Sequence, residues 1–238
     1  MMWSIVIPVK RLPLAKTRLS AALAISTRAD LLIDRPPSAD RSPAHDGLPA
    51  NGRIALAMAS DTVCAALAST IVAAVVVVTD DPLAADTLSA LGARVVPDAP
   101  DSGLNAALRY GAAVAMAQRP DLGVAALSAD LAALRPEELT QSLIQAAGHA
   151  GAFVADVHGT GTTLLTALPG HDLDPRFGAG SALAHTRLGA HPLEGTWPSL
   201  RRDLDTPADL AIAVRLGLGP ATAAQLALLA PDLAGCAC

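Results

Sequence analysis

The apolar positions of this chain fall into short runs, each followed by a segment of helical spacing. Ile5-Val6-Ile7, running on through Pro8 and Val9, has the density of a buried strand. A first helix is expected between it and Asp30. Ile54, Leu56, Ala57, Val63, Cys64 and Leu67 recur at helical intervals and predict a helix over 54–69, and the run Ile71 to Val78 predicts a second strand. Thr79-Asp80-Asp81-Pro82 then reads as a helix start, because proline suits the first helical position and an acid suits the position before it. The alternation continues with a strand at 93–96, a helix at 105–118, a strand at 124–128 and a helix at 136–147. Strand and helix in alternation predict an α/β fold, a Rossmann-like, mostly parallel sheet flanked by helices.

Two segments depart from that rhythm. From Asp30 to Arg53 the chain carries Pro36, Pro37, Pro43 and Pro49 among Asp, Arg, Ser, Asn and Gly, so residues 30–53 are expected to be a flexible insertion in a single domain of 238 residues. Further on, Arg201-Arg202-Asp203-Leu204-Asp205-Thr206-Pro207-Ala208-Asp209 reads as a strand running into a helix. Thr206 is expected as the N-cap, Pro207 as the first helical residue, and Asp209 as the acid that closes a capping box. Strand alternation would send Asp203 and Asp205 to one face and Leu204 into the core. The helix start accounts for Asp209 without further chemistry and leaves Asp203 unexplained.

Composition narrows the classes of function. Hydrophobic residues make up 52% of the chain and aromatics 2%, so the core is built from Ala, Val, Leu and Ile, and stacking on nucleic-acid bases is disfavoured. The net charge of −5 supplies no broad basic field, which leaves any anionic ligand to a local cluster of cations, backbone N–H groups or metal. The run at 71–78 falls well short of the ~20 apolar residues that span a bilayer. The strand pattern begins at once, with no charged region leading into a cleavable apolar stretch, so a cytoplasmic address is expected. Cys64 is expected as buried packing, and Cys236 and Cys238 end a tail. The six histidines form no HxH or HExxH pattern, are expected on the surface or in loops, and give no support for zinc.

In a parallel sheet, ligands bind beyond the carboxyl ends of the strands. The polar motifs fall where that rule places a cleft. The loop after the first strand holds four cations within nine residues, Lys10, Arg11, Lys16 and Arg18, and contains neither GxxxxGK[ST] nor GxGxxG. Charge-assisted hydrogen bonds from those four suit a triphosphate. Asp130 follows the buried strand 124–128, where an acid is costly unless it is paired or meets a cation. Asp130, Asp203 and Asp205, without Cys or His, suit a hard cation such as Mg²⁺, which keeps waters and takes further ligands from substrate phosphates.

The stretches VIPVKRLPLAKTRLS, GLNAAL, LSADLAAL, VHGTGTTLL, DPRFGAGS and WPSLRRDLDTPADL resemble, in order and through nearly the whole chain, the phosphoenolpyruvate and 2-phospho-L-lactate guanylyltransferases of coenzyme F-420 biosynthesis. The resemblance implies a nucleotidyltransferase-type fold that joins GMP from GTP to a phosphorylated three-carbon acid and releases pyrophosphate. It implies that Thr162, Gly178 and Ser181 bind the acid, that Lys10, Arg11, Lys16, Arg18 and Asn105 serve the nucleotide, and that Asp130, Asp203 and Asp205 hold Mg²⁺. Lys16, Asp130 and Asp203 are then the catalytic set. Ser181 opens a helical pattern, a position that suits an anion or a plain cap. The chain departs from the pattern at Ala129, where glycine is common, at Ala132-Ala133, which replace a proline-containing turn, and at the insertion 30–53.

The expected chemistry needs no general base. A phosphate monoester has its second pKa near ~6 and is mostly dianionic at neutral pH, so the nucleophile arrives deprotonated. Resemblance to bacterial members favours phosphoenolpyruvate over 2-phospho-L-lactate and 3-phosphoglycerate, which differ from it by a double bond or a hydroxyl. Guanine specificity, a homodimer and a downstream transferase that takes up the product also follow from the resemblance. The alternatives are a nucleotidyltransferase of the same fold with another acceptor and a noncatalytic nucleotide-binding paralog. The apolar helix at 220–229 suits packing on its own sheet or on a partner.

Overall fold

The computed structural model describes residues 1–14 and 48–229. β1 (Trp3–Pro8) lies inside a seven-stranded sheet of order β3-β2-β1-β4-β6-β5-β7. On one side of it β2 (Val72–Val78) and then β3 (Arg94–Val96) run parallel to it. On the other side β4 (Gly123–Leu127) is also parallel. β6 (Thr162–Ala167) runs antiparallel to both β4 and β5 (Gly151–Ala155), and the short β7 (His191–Pro192) is parallel to β5. Only β6 therefore points backwards, and its first residue lies at the edge where β1, β2, β4 and β5 end.

Period-two alternation along the strands gives the sheet two buried faces. Ile5, Ile7, Val75, Val77, Ala125, Leu127 and Leu164 face α1 (Ala50–Ala68), α2 (Pro82–Ala90) and α4 (Pro136–Ala146), packing with Val63, Leu88, Leu139 and Leu143. Val6, Val76, Val78, Val124, Ala126 and Leu165 face α3 (Leu104–Gln118) and α5 (Ser181–Arg187). α3 lies close because Gly111 has no side chain: an added Cβ would come 2.5 Å from Val6 Cγ1 and 2.6 Å from Val78 Cγ2. A third cluster joins Ile54 and Met58 of α1 to Leu204, to Leu210 and Ala213 of α6 (Pro207–Leu216), and to Leu226 of α7 (Pro220–Leu229).

Several sequence-based expectations hold in detail. Asp81 caps α2 by accepting from the Ala84 N–H, with Pro82 in the first turn. At α6, Thr206 accepts from the Asp209 N–H while the Asp209 carboxylate accepts from the Thr206 N–H, the reciprocal capping box.

Others need correction. α1 begins at Ala50, so residues 50–53, expected to be loop, are helical. Buried Asn51 donates to the Pro13 carbonyl and Arg53 to the Leu48 carbonyl, which anchors this first turn despite its polar sequence. Residues 201–206 form no strand; they cross the end of the sheet as irregular chain, although Leu204 points into the core as the alternation predicts. Helix α7 packs on α1 within this chain, not on the sheet, and its first turn is held by Asp61, whose two carboxylate oxygens accept from the Ala221 and Thr222 N–H groups at 3.0 and 2.7 Å. Cys64, expected to be buried, is exposed on α1. His185, expected on the surface, is 1% exposed. Among the described residues, no helix is long and apolar enough to cross a membrane.

Candidate active site

The chain leaves β1 to build β2 and β3 on one side and returns to place β4 on the other, so the strand order switches at β1/β4. In open α/β sheets the crevice beyond the carboxyl ends at such a switch point is the ligand site. Lys10 and Arg11 leave β1 there, and Asp130 stands in the turn after β4.

The start of the basic loop is fixed by buried polar contacts. The Leu12 N–H donates to Asp81 Oδ2 at 2.9 Å, so one carboxylate both caps α2 and pins the loop. Arg11 lies 3.6 Å from Asp80 and 3.9 Å from Asp101. Burial raises the Asp98 carboxyl above its usual range, and the charges of Asp80 and Asp101 push the same way, against a hydrogen bond from the Asp101 backbone and the nearby Arg11. Lys16 and Arg18 lie outside the described residues.

Asp130 is half-buried. The next helix, α4, begins six residues later with Arg135 as its N-cap, so capping of that helix does not account for the acid. The Ser128 N–H donates to the Thr163 carbonyl, tying the end of β4 to the start of β6.

Asp203 is half-buried and Asp205 exposed, on either side of the buried Leu204. Their segment is held in place by neighbouring residues. Glu138 Oε2, on α4, accepts from the Ser199 N–H at 2.9 Å, the Ser199 hydroxyl at 2.7 Å and the Leu200 N–H at 3.2 Å. Arg201 donates to the Ala155 and Leu193 carbonyls and lies over the Trp197 ring, while its own carbonyl accepts from the Val157 N–H. Burial lowers the Arg201 pKa, with Asp156 opposing. At Asp209 burial raises the carboxyl pKa, but hydrogen bonds from Thr206 and Arg202 outweigh it and hold the group below its ordinary value. The start of the segment, at Arg201, is thereby held at the end of β5 without a strand of its own.

Among the described residues no three His, Cys, Asp or Glu side chains gather into a metal-holding group, so Asp130, Asp203 and Asp205 form no closed cage.

A second group of residues lies on the same edge. Thr162 opens β6, opposite Ala155, and the loop Asp156 to Gly161 connects it to β5. That loop is closed by the Thr160 N–H donating to Asp156 Oδ1, and Gly161 leaves no room for a side chain, since a Cβ would meet Asp156. The Ala182 N–H donates to the Thr160 carbonyl, which ties the hairpin to α5. Gly178 has φ +128°, a conformation L side chains avoid, and a Cβ there would meet nothing within 4 Å. Its conformation, not crowding, calls for glycine.

Ser181 is the first residue of α5, and Gly180 is its N-cap, so Ser181 does not serve as the cap. Its hydroxyl is buried without a partner among the described residues. α5 has only seven residues, which limits what its dipole contributes and shifts the anion-binding argument to hydroxyls and backbone. Asn105 spends both ends of its amide on the backbone of one residue: Oδ1 accepts from the Phe177 N–H at 2.8 Å and Nδ2 donates to the Phe177 carbonyl at 3.1 Å. The structure thus places Asn105 as a clamp on the 174–180 loop.

His185 was not singled out by sequence reasoning. Its ring is enclosed by Phe153 and Phe177. Nδ1 lies 2.9 Å from Thr162 Oγ1, and Nε2 accepts from the Arg176 N–H at 2.9 Å. Burial lowers its pKa to about 4, with Asp174 opposing and Arg176 reinforcing the shift. A lone histidine on a short helix carries no motif; its position one helical turn after Ser181 was the available signal.

Residues 53–206 match the model of the MobA-like NTP transferase domain. A phosphoenolpyruvate guanylyltransferase from Thermomonospora curvata is 52% identical over 227 residues, covering 94% of this chain and 89% of that protein. One from Streptomyces scabiei is 52% identical over 234 residues, covering 96% and 98%. A solved nucleotidyl transferase from Methanothermobacter superposes with a TM-score of 0.58 at 19% identity, covering 90% of this chain and 97% of that one, a likeness of fold.

Proposed function

The chain belongs to the MobA-like NTP transferase family, alongside proteins named phosphoenolpyruvate guanylyltransferase, and from that premise we propose that it transfers GMP from GTP to the phosphate of phosphoenolpyruvate, with release of pyrophosphate. A phosphate oxygen of the acid attacks the α-phosphorus of GTP in line. The bond from that phosphorus to the bridging oxygen of the β-phosphate breaks, and the electron pair leaves with pyrophosphate. The observation that supports the proposal most directly is the 52% identity, over nearly the whole chain, to proteins named phosphoenolpyruvate guanylyltransferase; the β1 loop, Asp130 and Thr162 at one edge of the sheet agree with it.

Two anions must approach each other, so positioning and charge dominate the chemistry. Lys10 and Arg11, joined by Lys16 and Arg18, hold the triphosphate. Thr162, Ser181 and the open backbone at Gly178 hold the acid. Asn105 keeps the Gly178 loop in place through Phe177. Asp130, Asp203 and Asp205 would hold Mg²⁺, which when bound would offset charge on the phosphoryl groups and the leaving pyrophosphate. The product is a reactive phosphoanhydride, which fits a cytoplasmic enzyme working ahead of a transferase in coenzyme F-420 assembly.

Pyrophosphate release tests the reading. With Mg²⁺ and GTP, phosphoenolpyruvate, 2-phospho-L-lactate and 3-phosphoglycerate are offered separately, with ATP and CTP as controls. Release with GTP and phosphoenolpyruvate is expected. Release with another acid alone would move the acceptor assignment, and silence in every combination would overturn the proposal.

A further inference from the structure

His185 is buried, polar and paired on both ring nitrogens, and nothing in the proposed transfer has yet used it. Its hydrogen bonds fix its chemical state. A backbone N–H can only donate, so the Arg176 N–H at 2.9 Å requires Nε2 to present a lone pair. The neutral ring then carries its proton on Nδ1, and the 2.9 Å contact with Thr162 Oγ1 is a donation from histidine to threonine. A protonated ring would turn both nitrogens into donors and set Nε2 against the Arg176 N–H. Burial, with the pKa lowered to about 4, keeps the ring neutral at pH 7.

The consequence falls on Thr162. Its oxygen already accepts from His185, so its own hydroxyl proton is directed elsewhere. Thr162 sits at the start of β6 on the ligand-binding edge, and the unpartnered Ser181 hydroxyl belongs to the same helix as His185. We propose that His185 is a positioning residue of the acceptor site: held in its Nδ1–H form by the Arg176 backbone, it donates to Thr162 and commits the Thr162 hydroxyl to donating toward an anionic oxygen of the acid. In the reverse tautomer Nδ1 would accept the Thr162 proton, leaving only the lone pairs of Oγ1 to face the anion. This inference rests on the acceptor-site reading above and adds the origin of its donor polarity.

The test combines tautomer and kinetics. In the unliganded protein, ¹⁵N NMR should show His185 protonated on Nδ1 at pH 7, a readout independent of turnover. Steady-state pyrophosphate release is then measured for His185→Asn, His185→Leu, Thr162→Val and the double variant His185→Leu/Thr162→Val. The asparagine amide can place a donor where Nδ1 stood; leucine cannot. His185→Leu should raise KM for the acid about tenfold, as expected for one lost hydrogen bond, with KM for GTP nearly unchanged. His185→Asn should recover most of that loss, and the double variant should be no worse than Thr162→Val alone.

An Nε2–H tautomer would overturn the inference. So would additive losses in the double variant, or a folded His185→Asn protein as impaired as His185→Leu. Should His185→Leu fail to fold, the tautomer and the His185→Asn kinetics still decide. An active wild-type enzyme with additive losses would remove this inference alone; a wild-type enzyme silent with every acid would remove the acceptor-site reading, and this inference with it.

Discussion

Replacing Glu138 with alanine should loosen the segment that carries Asp203 and Asp205, because one carboxylate oxygen organises its start. Glu138 Oε2 accepts from the Ser199 N–H, the Ser199 hydroxyl and the Leu200 N–H, and Ser199 and Leu200 are both fully buried. Removing the acceptor strands two buried backbone donors, each costing about 1–3 kcal/mol; water entering where the half-buried Glu138 side chain stood offsets part of that, leaving about 2–4 kcal/mol. For a chain of this length that corresponds to a fall in Tm of roughly 5–12 °C. Glu138→Gln keeps one carbonyl oxygen and loses the charge, so its cost should be nearer ~1 kcal/mol. Urea denaturation of the three proteins gives the order wild type, Gln, Ala, with unchanged m-values. Turnover of the alanine variant, measured well below its Tm, should fall by roughly 10- to 100-fold as the acids lose their placement. A Glu138→Ala protein within about 0.5 kcal/mol of wild type and fully active would refute the reasoning.

Further outcomes follow from the same structure. Asp61→Ala removes the cap of α7 from 160 residues away; it should cost about 2–4 kcal/mol and expose the 220–229 segment to limited proteolysis, and an unchanged cleavage pattern would contradict the assignment. Gly111→Ala drives a methyl into Val6 and Val78 and should destabilise by about 1–3 kcal/mol in urea, whereas a neutral result would mean that α3 moves away freely. His185 titrates at about 4 when folded against 6.5 as an ordinary histidine, so the unfolded chain binds more protons between those values. Stability should therefore rise from pH 4 to pH 6.5 with a contribution of up to ~2–3 kcal/mol from this residue, and His185→Asn should flatten that part of the profile.

Much of the sheet was legible in the chain because local signals agreed with tertiary structure. The run 71–78 is too apolar to be anything but a buried element, and Asp81-Pro82 and Thr206-Pro207-Ala208-Asp209 carry their cap chemistry in adjacent residues. The position of Asp130 just after β4 followed from the strand pattern. The β5–β6 hairpin was missed because Gly151 to Ala167 is interrupted by Gly159, Thr160 and Gly161, which look like loop until the two arms pair. Asp203 and Asp205 show alternation without a strand: burial of Leu204 orients them, and Glu138, distant in sequence, and Arg201, through the Ala155 carbonyl, do the work expected of ladder hydrogen bonds. Cys64 lies in an apolar helical pattern, and α1 is buried on nearly every side, so periodicity could not tell that Cys64 falls on the small exposed remainder. His185 acquires its meaning only from Thr162 and Arg176, which meet it through loop closure.

A phosphorylated acid and GTP are expected to be joined at a site that uses Asp130, Asp203, Thr162 and Ser181. ³¹P NMR with mass spectrometry of the products formed from GTP, phosphoenolpyruvate and Mg²⁺ addresses it directly, with Asp203→Ala as the matched control. Pyrophosphate and a new phosphoanhydride carrying one guanosine and one enolpyruvate are expected from the wild-type enzyme, and a strongly reduced yield from the folded variant. GTP hydrolysis without the mixed anhydride, or wild-type yield from Asp203→Ala, would contradict it.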